Sequence, residues 1–206
     1  MNDVKLKLDW CSYKAAKYAV ENFHYSKCMP VGKSVKIGVW ENDKFIGCVI
    51  FSRGNTPHIG NQFNLKQTEI IELTRVALTN HKTHVTRIVS IAMRMLKKQS
   101  PDIKAIISYA DQTQGHEGKI YKAGNWEYLG VTKPITYWTD GTKKIHSRLV
   151  TKSGIVIQFG RKTKAYSSQN LTKIKEVGKH KFIYYLDKTL CGDSVNARTN
   201  SISEVA

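Results

Sequence analysis

An acid and a histidine follow a short apolar run in the stretch 106–130. Asp111 comes directly after the run IISYA, and His116 lies between Gly115 and Gly118. Carboxylates and imidazoles are the side chains that most often carry protons in catalysis. The neighbouring glycines allow a backbone to approach a ligand closely, and open α/β sheets bind ligands at the carboxyl ends of their strands. The stretch therefore predicts an enzyme pocket, in which Asp111 is either an acid/base or the cap of the following loop.

A cation lies within another apolar run. Arg75 is surrounded by the residues of ELTRVAL, and burying an arginine without a partner is costly. One interpretation is a structural salt bridge with Glu69 or Glu72. The other is a pocket cation that holds a carboxylate, a phosphate or the edge of a base, and we favour it slightly.

Two further positions could contribute polar groups to this pocket. Ser108 and Tyr109 point to opposite faces of one predicted strand, so only one of them can share a pocket with Asp111. His24 and Tyr25 follow the first predicted helix. A histidine in a loop is either a proton carrier or, more often, a surface residue.

Alternating and helical patterns place these residues on a mixed sheet. Ser12 is a suitable N-cap for the first helix, and Pro101 ends the second one. Strand–helix–strand units require parallel pairing. The pattern thus predicts an α/β (α+β) domain over residues 1–135, with a mixed central sheet flanked by helices. Its predicted elements are a helix over 10–23, a hairpin of strands 35–40 and 45–53, a strand over 69–78, a helix over 84–98, a strand over 105–110, a helix over 119–123 and a strand over 125–130.

The helix that begins near Thr83 directly follows a strand. Its unpaired N–H groups and its dipole can hold an anion, and Lys82 and Arg87 add positive charge. The alternative is an ordinary capped core helix, because every helix has such an end.

The chain beyond residue 135 is strongly basic. Between Lys143 and Lys181 it has eleven basic residues and one acid, Glu176, and the whole chain has a net charge of +17. Cations that contact phosphates and rings that stack on bases are typical of nucleic-acid binding, whereas the alternative is a solvated face. We expect 136–190 to form a DNA-binding extension packed on the core, with short strands at 148–150 and 155–159, and 191–206 to be a disordered tail. The predicted DNA-contacting residues are Lys143, Lys144, Arg148, Arg161, Lys162, Lys164, Lys179 and Lys181.

Other classes of protein are disfavoured. The apolar windows are too short to span a bilayer, and the first ten residues lack the apolar region of a signal peptide. Cys11, Cys28, Cys48 and Cys191 have no ligand-like spacing, which predicts reduced thiols and a cytoplasmic location.

Three segments in a fixed order resemble known families. The order of elements, with ELTRVA as a fourth strand and IYKAGNWEYLG as a helix–strand signature, resembles the GNAT acyltransferase fold. FHYSKCMPVGKSVKIGVWENDKFIGCVIF, ELTRVALT and ADQTQGHEGKIYKAGNWEYLG together resemble the phage Mom DNA-modification family. The resemblance extends from about Trp10 to His180.

The resemblance implies an enzyme that converts adenine in duplex DNA to N6-carbamoylmethyladenine and so protects phage DNA from restriction nucleases. It implies a monomer or homodimer with double-stranded DNA as its partner. The alternatives are a GNAT-type acetyltransferase that acts on a protein or small molecule, and a DNA-binding protein without catalysis. The implied catalytic site consists of Asp111, Arg75, His24, Tyr25, His116, Ser108 and Tyr121.

The identity of the group donor is open at this point. Acetyl-CoA or a related acyl donor would lie against Val76, Lys82, Thr83, His84 and Asn125. However, the stretch 78–85 lacks the glycines with which GNAT enzymes usually bind the coenzyme's pyrophosphate. Simple acyl transfer also leaves an amide rather than a bond to a methylene. Iron is another possibility, because His24, His116, Asp111 and a tyrosine are suitable ligand types, but their spacing matches no metal site and we assign no metal ligand.

Overall fold

The computed structural model describes residues 4–54, 56–158 and 161–191. The predicted disordered tail lies outside the described residues from position 192 onward. The chain forms two compact units, which are treated separately below. The first unit contains Met1–Tyr109, Gly118–Gly130 and Lys181–Ala206, and the second contains Ala110–Glu117 and Val131–His180.

In the described residues, the strands form one large sheet and three small ones. The strands are β1 (Leu6–Trp10), β2 (Ser34–Glu41), β3 (Lys44–Ser52), β4 (Ile70–Leu78), β5 (Ala105–Ala110), β6 (Glu127–Val131), β7 (Ile135–Thr139), β8 (Lys144–His146), β9 (Val150–Thr151), β10 (Ile155–Gln158), β11 (Arg161–Lys164), β12 (Tyr166–Ser167), β13 (Thr172–Glu176) and β14 (His180–Tyr185). The large sheet has seven strands in the order β1-β2-β3-β4-β5-β14-β6. Its first four strands pair antiparallel, and β4 pairs parallel with β5.

Within the part of the chain that the structure describes, three α-helices accompany the large sheet: α1 (Tyr13–Phe23), α2 (Val85–Gln99) and α3 (Lys119–Ala123). Ser12 caps α1, as predicted, and its hydroxyl accepts a hydrogen bond from the Ala15 amide. α1 buries Ala16, Ala19 and Val20 in a cluster that includes residues of β3 and β4. The predicted mixed α/β architecture is confirmed.

The centre of the large sheet is covered on both faces. Every residue of β3 from Ile46 to Ser52 is buried, and side chains of a strand alternate between faces. The parallel part of the sheet has its own apolar cluster, in which Ile107 and Ile183 are fully buried. This packing fixes the strands whose ends carry the candidate site.

Several predicted elements need correction. The helix predicted from Trp10 begins at Tyr13, because the preceding residues form β1 along β2. The strand predicted over 148–150 is instead a short 3₁₀ turn, Ser147–Leu149, followed by β9. The strand predicted over 155–159 is β10, whose described residues end at Gln158; Phe159 lies outside the described residues. The sequence analysis also assigned no element to β14, which the large sheet places between β5 and β6.

The second unit contains small sheets. β13, β7 and β8 form an antiparallel sheet in that order, β10 and β11 form a hairpin, and β9 pairs parallel with β12. In the described residues, no helix is long and apolar enough to cross a membrane.

Candidate functional site

The parallel strands of the first unit part at their carboxyl ends. Backbone pairing between β4 and β5 runs from Ile70–Ala105 to Glu72–Ile107. One residue further along β5, the Ser108 hydroxyl donates to the Leu73 carbonyl at 2.8 Å. A polar side chain thus continues the contact beyond the last backbone pair, at the edge where ligands bind in such sheets.

Ser108 and Tyr121, both predicted site residues, are brought together. Their oxygens are 2.8 Å apart, and since the Ser108 proton goes to Leu73, the Tyr121 hydroxyl donates to Ser108. The Tyr121 ring packs against Phe182 and Trp126, with centroids 4.9 and 5.1 Å away. Burial raises the pKa of Tyr121 to about 12 although the bond to Ser108 opposes this. Tyr121 therefore remains protonated at neutral pH and serves as a donor.

Arg75 is held by carbonyl groups. Its Nε donates to the Cys28 carbonyl at 3.1 Å and its Nη1 to the Thr74 carbonyl at 2.7 Å. Glu69, one of its two expected partners, pairs with Lys104 at 2.7 Å instead. Because neutral carbonyls do not cancel the charge, Arg75 is a half-buried cation anchored to the loop after α1.

His24 and Tyr25 form a stacked pair in that loop. Their ring centroids are 4.3 Å apart and their planes are inclined by 30°. The Ser26 amide donates to His24 Nδ1 at 3.1 Å, so in the neutral ring the proton is on Nε2. Tyr25 is 44% exposed. Such a partly exposed pair of rings offers a face on which a planar ligand can stack.

Asp111 belongs to the second unit, where its carboxylate is paired. Oδ2 lies 2.9 Å from Lys179 Nζ, and Oδ1 accepts from the amide and the hydroxyl of Thr113 at 3.1 and 2.7 Å. Burial alone would raise the pKa of Asp111, but the bonds from Lys179 and Thr113 outweigh it and lower the pKa. The group is therefore an ionised carboxylate, and it also caps the following turn.

His116 is exposed on the turn that Asp111 caps. Its amide donates to the Asp111 carbonyl at 3.2 Å. The glycines beside it have specific structural roles. Gly115 and Gly118 both have φ near +70°, and a Cβ on Gly118 would lie 2.3 Å from the Phe182 ring. The glycine pattern thus reflects backbone conformation at both positions and close packing at Gly118.

The basic residues of the second unit form cation–ring pairs. We use the name basic-aromatic pairs for Lys143 over Tyr166 at 4.7 Å, Lys144 over Tyr137 at 4.7 Å and Lys173 over Trp138 at 5.1 Å. The three lysines are exposed, and Lys144 also contacts Glu176.

The other predicted DNA-contacting residues are in varied surroundings. Lys162 and Lys164 are exposed on β11. Lys179 pairs with Asp111, and Lys181 belongs to the first unit, where its Nζ donates to Gln62 Oε1 at 2.5 Å and burial lowers its pKa. The side chains of Arg148 and Arg161 lie outside the described residues.

The turn before α2 differs from the expected open anion site. The Lys82 and Thr83 amides already donate to the Glu41 carboxylate, at 3.0 and 2.7 Å. His84 is the N-cap of α2 but makes no side-chain capping bond.

The two other residues predicted to bind a donor are parts of a strand and of a turn. Val76 lies in β4 opposite Val49. Asn125 is exposed and has a left-handed φ of 59°, as the turn between α3 and β6 requires. Within the part of the chain that the structure describes, no group of three or more His, Cys, Asp or Glu residues could hold a metal ion.

Two residues beside the predicted set were missed. Phe182 holds the Tyr121 ring, and Glu41 accepts from the turn before α2. The run FIYY at 182–185 was an available sign of a buried strand. Glu41 was part of a predicted hairpin turn, and nothing in its type or spacing indicated a contact with residues forty positions later.

Comparisons with known proteins agree on family and fold. The model of the Mom protein family matches residues 5–201. A curated relative, methylcarbamoylase mom of Escherichia phage Mu, is 23% identical over 141 residues, which cover 66% of this chain and 58% of that protein. The match thus spans less than two thirds of the relative's length.

Solved structures of acetyltransferases share the fold. A protein assigned as a phosphinothricin N-acetyltransferase superposes with a TM-score of 0.51 and 10% identity, covering 88% of this chain and 99% of its own. Variant forms of a spermidine/spermine N-acetyltransferase from Vibrio cholerae give a TM-score of 0.50 and 10% identity, with 92% and 99% covered. The chain therefore has the acetyltransferase fold that its element order predicted.

Proposed function

Because the chain belongs to the Mom protein family, we propose that it is a transferase that converts adenine in duplex DNA to N6-carbamoylmethyladenine, which protects the DNA from restriction nucleases. The observation that carries the proposal is the family match over residues 5–201, which includes both the GNAT-like sheet and the basic second unit. The curated relative from phage Mu is named a methylcarbamoylase, and this name supports transfer of a small amide-containing group.

The chemistry requires a positioned amine and a base. In duplex DNA the exocyclic amine of adenine is paired and stacked, so the base must leave the stack before it reacts. The nitrogen forms a bond to the methylene carbon of the donor, the bond from that carbon to its leaving group breaks, and a proton leaves the nitrogen. The amine is a weak nucleophile, so precise positioning and proton removal both contribute.

Residues of each unit, taken separately, offer groups for these tasks. Asp111 is ionised at neutral pH and is our first choice for the base, while Lys179 keeps it in place. The stacked rings of His24 and Tyr25 offer a face for the extruded adenine, and Arg75 can hold a carbonyl or carboxylate oxygen of the donor. Tyr121 stays protonated and fixes Ser108 beside Leu73.

The second unit offers a DNA-binding surface in this proposal. The basic-aromatic pairs present exposed ammonium groups, which can contact phosphates without regard to sequence. Lys162 and Lys164 extend the exposed positive charge along β11.

Mass spectrometry of nucleosides tests the proposal directly. A plasmid is propagated with the wild-type gene, with Asp111→Asn or without the gene, and its nucleosides are then analysed. We expect a deoxyadenosine carrying a carbamoylmethyl group in the wild-type sample and a loss of about 100-fold or more in Asp111→Asn. Full modification by a folded Asp111→Asn protein would rule out Asp111 as the base.

The acetyltransferase fold supports a second candidate, an N-acetyltransferase that acts on an amine outside DNA. Unmodified nucleosides, together with an acetylated protein or polyamine in the same cells, would favour it. Unmodified nucleosides together with tight DNA binding would instead indicate a binding protein without catalysis.

A further inference from the structure

The GNAT-like fold implies a binding site for the coenzyme diphosphate, and in this chain the carboxylate of Glu41 occupies it. In GNAT-like proteins the helix after the fourth strand receives the pyrophosphate of CoA, which here corresponds to the turn before α2. The Lys82 amide lies 3.2 and 3.0 Å from the two oxygens of Glu41, and the Thr83 amide lies 2.7 Å from the first. These amides are the donors that an anion at this turn would need.

The Glu41 carboxylate is well placed to compete with any ligand. Glu41 is the last residue of β2 and is only 9% exposed. The turn of the β2–β3 hairpin follows it directly and fixes its position. Burial alone would raise the pKa of Glu41, but bonds from the Thr83 side chain and from the two amides lower it. The carboxylate is therefore charged at neutral pH and already delivers the negative charge that the helix dipole favours.

A phosphate could bind at this turn only by displacing the Glu41 carboxylate from the Lys82 and Thr83 amides. The two amides cannot serve both acceptors, and two anions in such close contact repel each other. Displaced from the amides, Glu41 would lose its backbone partners and remain next to the incoming charge. Lys82 adds positive charge nearby but does not remove this conflict.

We propose that Glu41 is an internal anion that closes the diphosphate site of this fold, so that the donor is bound without a diphosphate anchor at α2. The inference does not depend on the DNA reaction proposed above. The sequence predicted that Lys82, Thr83 and His84 bind a coenzyme, whereas the Lys82 and Thr83 amides are already hydrogen-bonded to Glu41.

Calorimetry with defined anions tests this directly. Wild-type protein, Glu41→Ala and Glu41→Gln are titrated with CoA and with inorganic pyrophosphate, and Asp43→Asn is the matched control. This substitution removes one negative charge two residues from Glu41. The Asp43 side chain pairs with Lys5 and not with the turn before α2. Asparagine also tolerates the left-handed conformation of residue 43.

We expect the wild type and Asp43→Asn to bind pyrophosphate at least 10-fold more weakly than Glu41→Ala. Glu41→Gln keeps an acceptor for the Thr83 amide but loses the charge, so it should give a smaller gain and guards against misfolding of the alanine variant. Amide NMR of the wild type supplies an independent measurement, in which CoA should leave the Lys82 and Thr83 resonances unchanged.

Two results would overturn the proposal. One is CoA binding by the wild type with shifts of the Lys82 and Thr83 amides, and the other is folded Glu41 variants that gain no affinity for pyrophosphate. Neither would alter the nucleoside result, so a failure here is distinct from a failure of the proposed DNA reaction.

Discussion

The two units differ in whether the polar groups discussed above are buried or exposed. In the first unit, Ser108 and Tyr121 are almost completely buried, and each hydroxyl has a partner at 2.8 Å. In the second unit, the lysines of the basic-aromatic pairs are exposed. A buried group that loses its partner costs about 1–3 kcal/mol, whereas exposed charged pairs contribute about 0–1 kcal/mol. Substitutions should therefore act through stability in the first unit and through binding in the second.

The largest difference between the units should come from truncating an apolar side chain. Phe182 is fully buried and contacts Tyr121 and Tyr128, so we expect Phe182→Ala to lower the free energy of unfolding by about 3–5 kcal/mol. Ile157 in the second unit is 69% exposed, and Ile157→Ala should change it by less than about 0.5 kcal/mol. Denaturant titration measures both, and equal losses would contradict the comparison.

Removing the buried hydroxyl pair should have a smaller effect. We expect Ser108→Ala to cost about 1–3 kcal/mol, because the Tyr121 hydroxyl then loses its acceptor inside the core. Tyr121→Phe combined with Ser108→Ala should cost less than the sum of the two single changes, since neither partner is then left alone. Simple additivity in denaturant titrations would show that the two hydroxyls do not depend on each other.

The sequence predicted those parts of the fold that depend on local patterns. α3 and β5 were predicted with their observed bounds, and α2 within one residue, because apolar periodicity is a local property. β14 was missed because a strand of six residues inside a basic segment shows its apolar side only at FIYY. Its place between β5 and β6 depends on pairing with strands far earlier in the chain, which no local pattern encodes.

The contacts of the predicted site residues could be foreseen only in part. Periodicity showed that Ser108 and Tyr109 point to opposite faces, and the structure pairs Ser108 with Tyr121. The Asp111–Lys179 and Glu41–Thr83 contacts each join residues far apart in the chain. Their formation depends on tertiary structure, so residue spacing could not show that these groups already had partners.

Asp111 departs from the exposed pattern of the second unit, because its side chain is only 14% exposed and is paired. Its pKa is lowered from the ordinary 3.8, so the stabilisation is present above that value and is lost as the pH falls through the lower, folded pKa. The difference in unfolding free energy between wild type and Asp111→Asn should thus be constant near neutral pH and shrink below pH 3.8. Lys179→Met should move this change to higher pH, and a difference independent of pH would contradict the assignment.

The basic-aromatic pairs should contribute little to stability. Cation–ring contacts at exposed sites contribute about 0.5–1 kcal/mol at most, so we expect Lys143→Ala, Lys144→Ala and Lys173→Ala each to lower the unfolding free energy by no more than that. Their effect should appear instead in DNA binding. Each lysine that contacts a phosphate should lower the slope of log affinity against log salt by about 0.9 when it is removed.

A lysine of the first unit provides the control for this last expectation. Lys17 is exposed on α1 and pairs with Glu21 at 3.6 Å, so Lys17→Ala removes one positive charge and one weak contact without touching the second unit. If DNA binding follows net charge alone, Lys17→Ala and Lys173→Ala will lower affinity equally. If the second unit contacts the phosphates, only Lys173→Ala will lower the salt slope, because a counterion is released only where a cation meets the DNA.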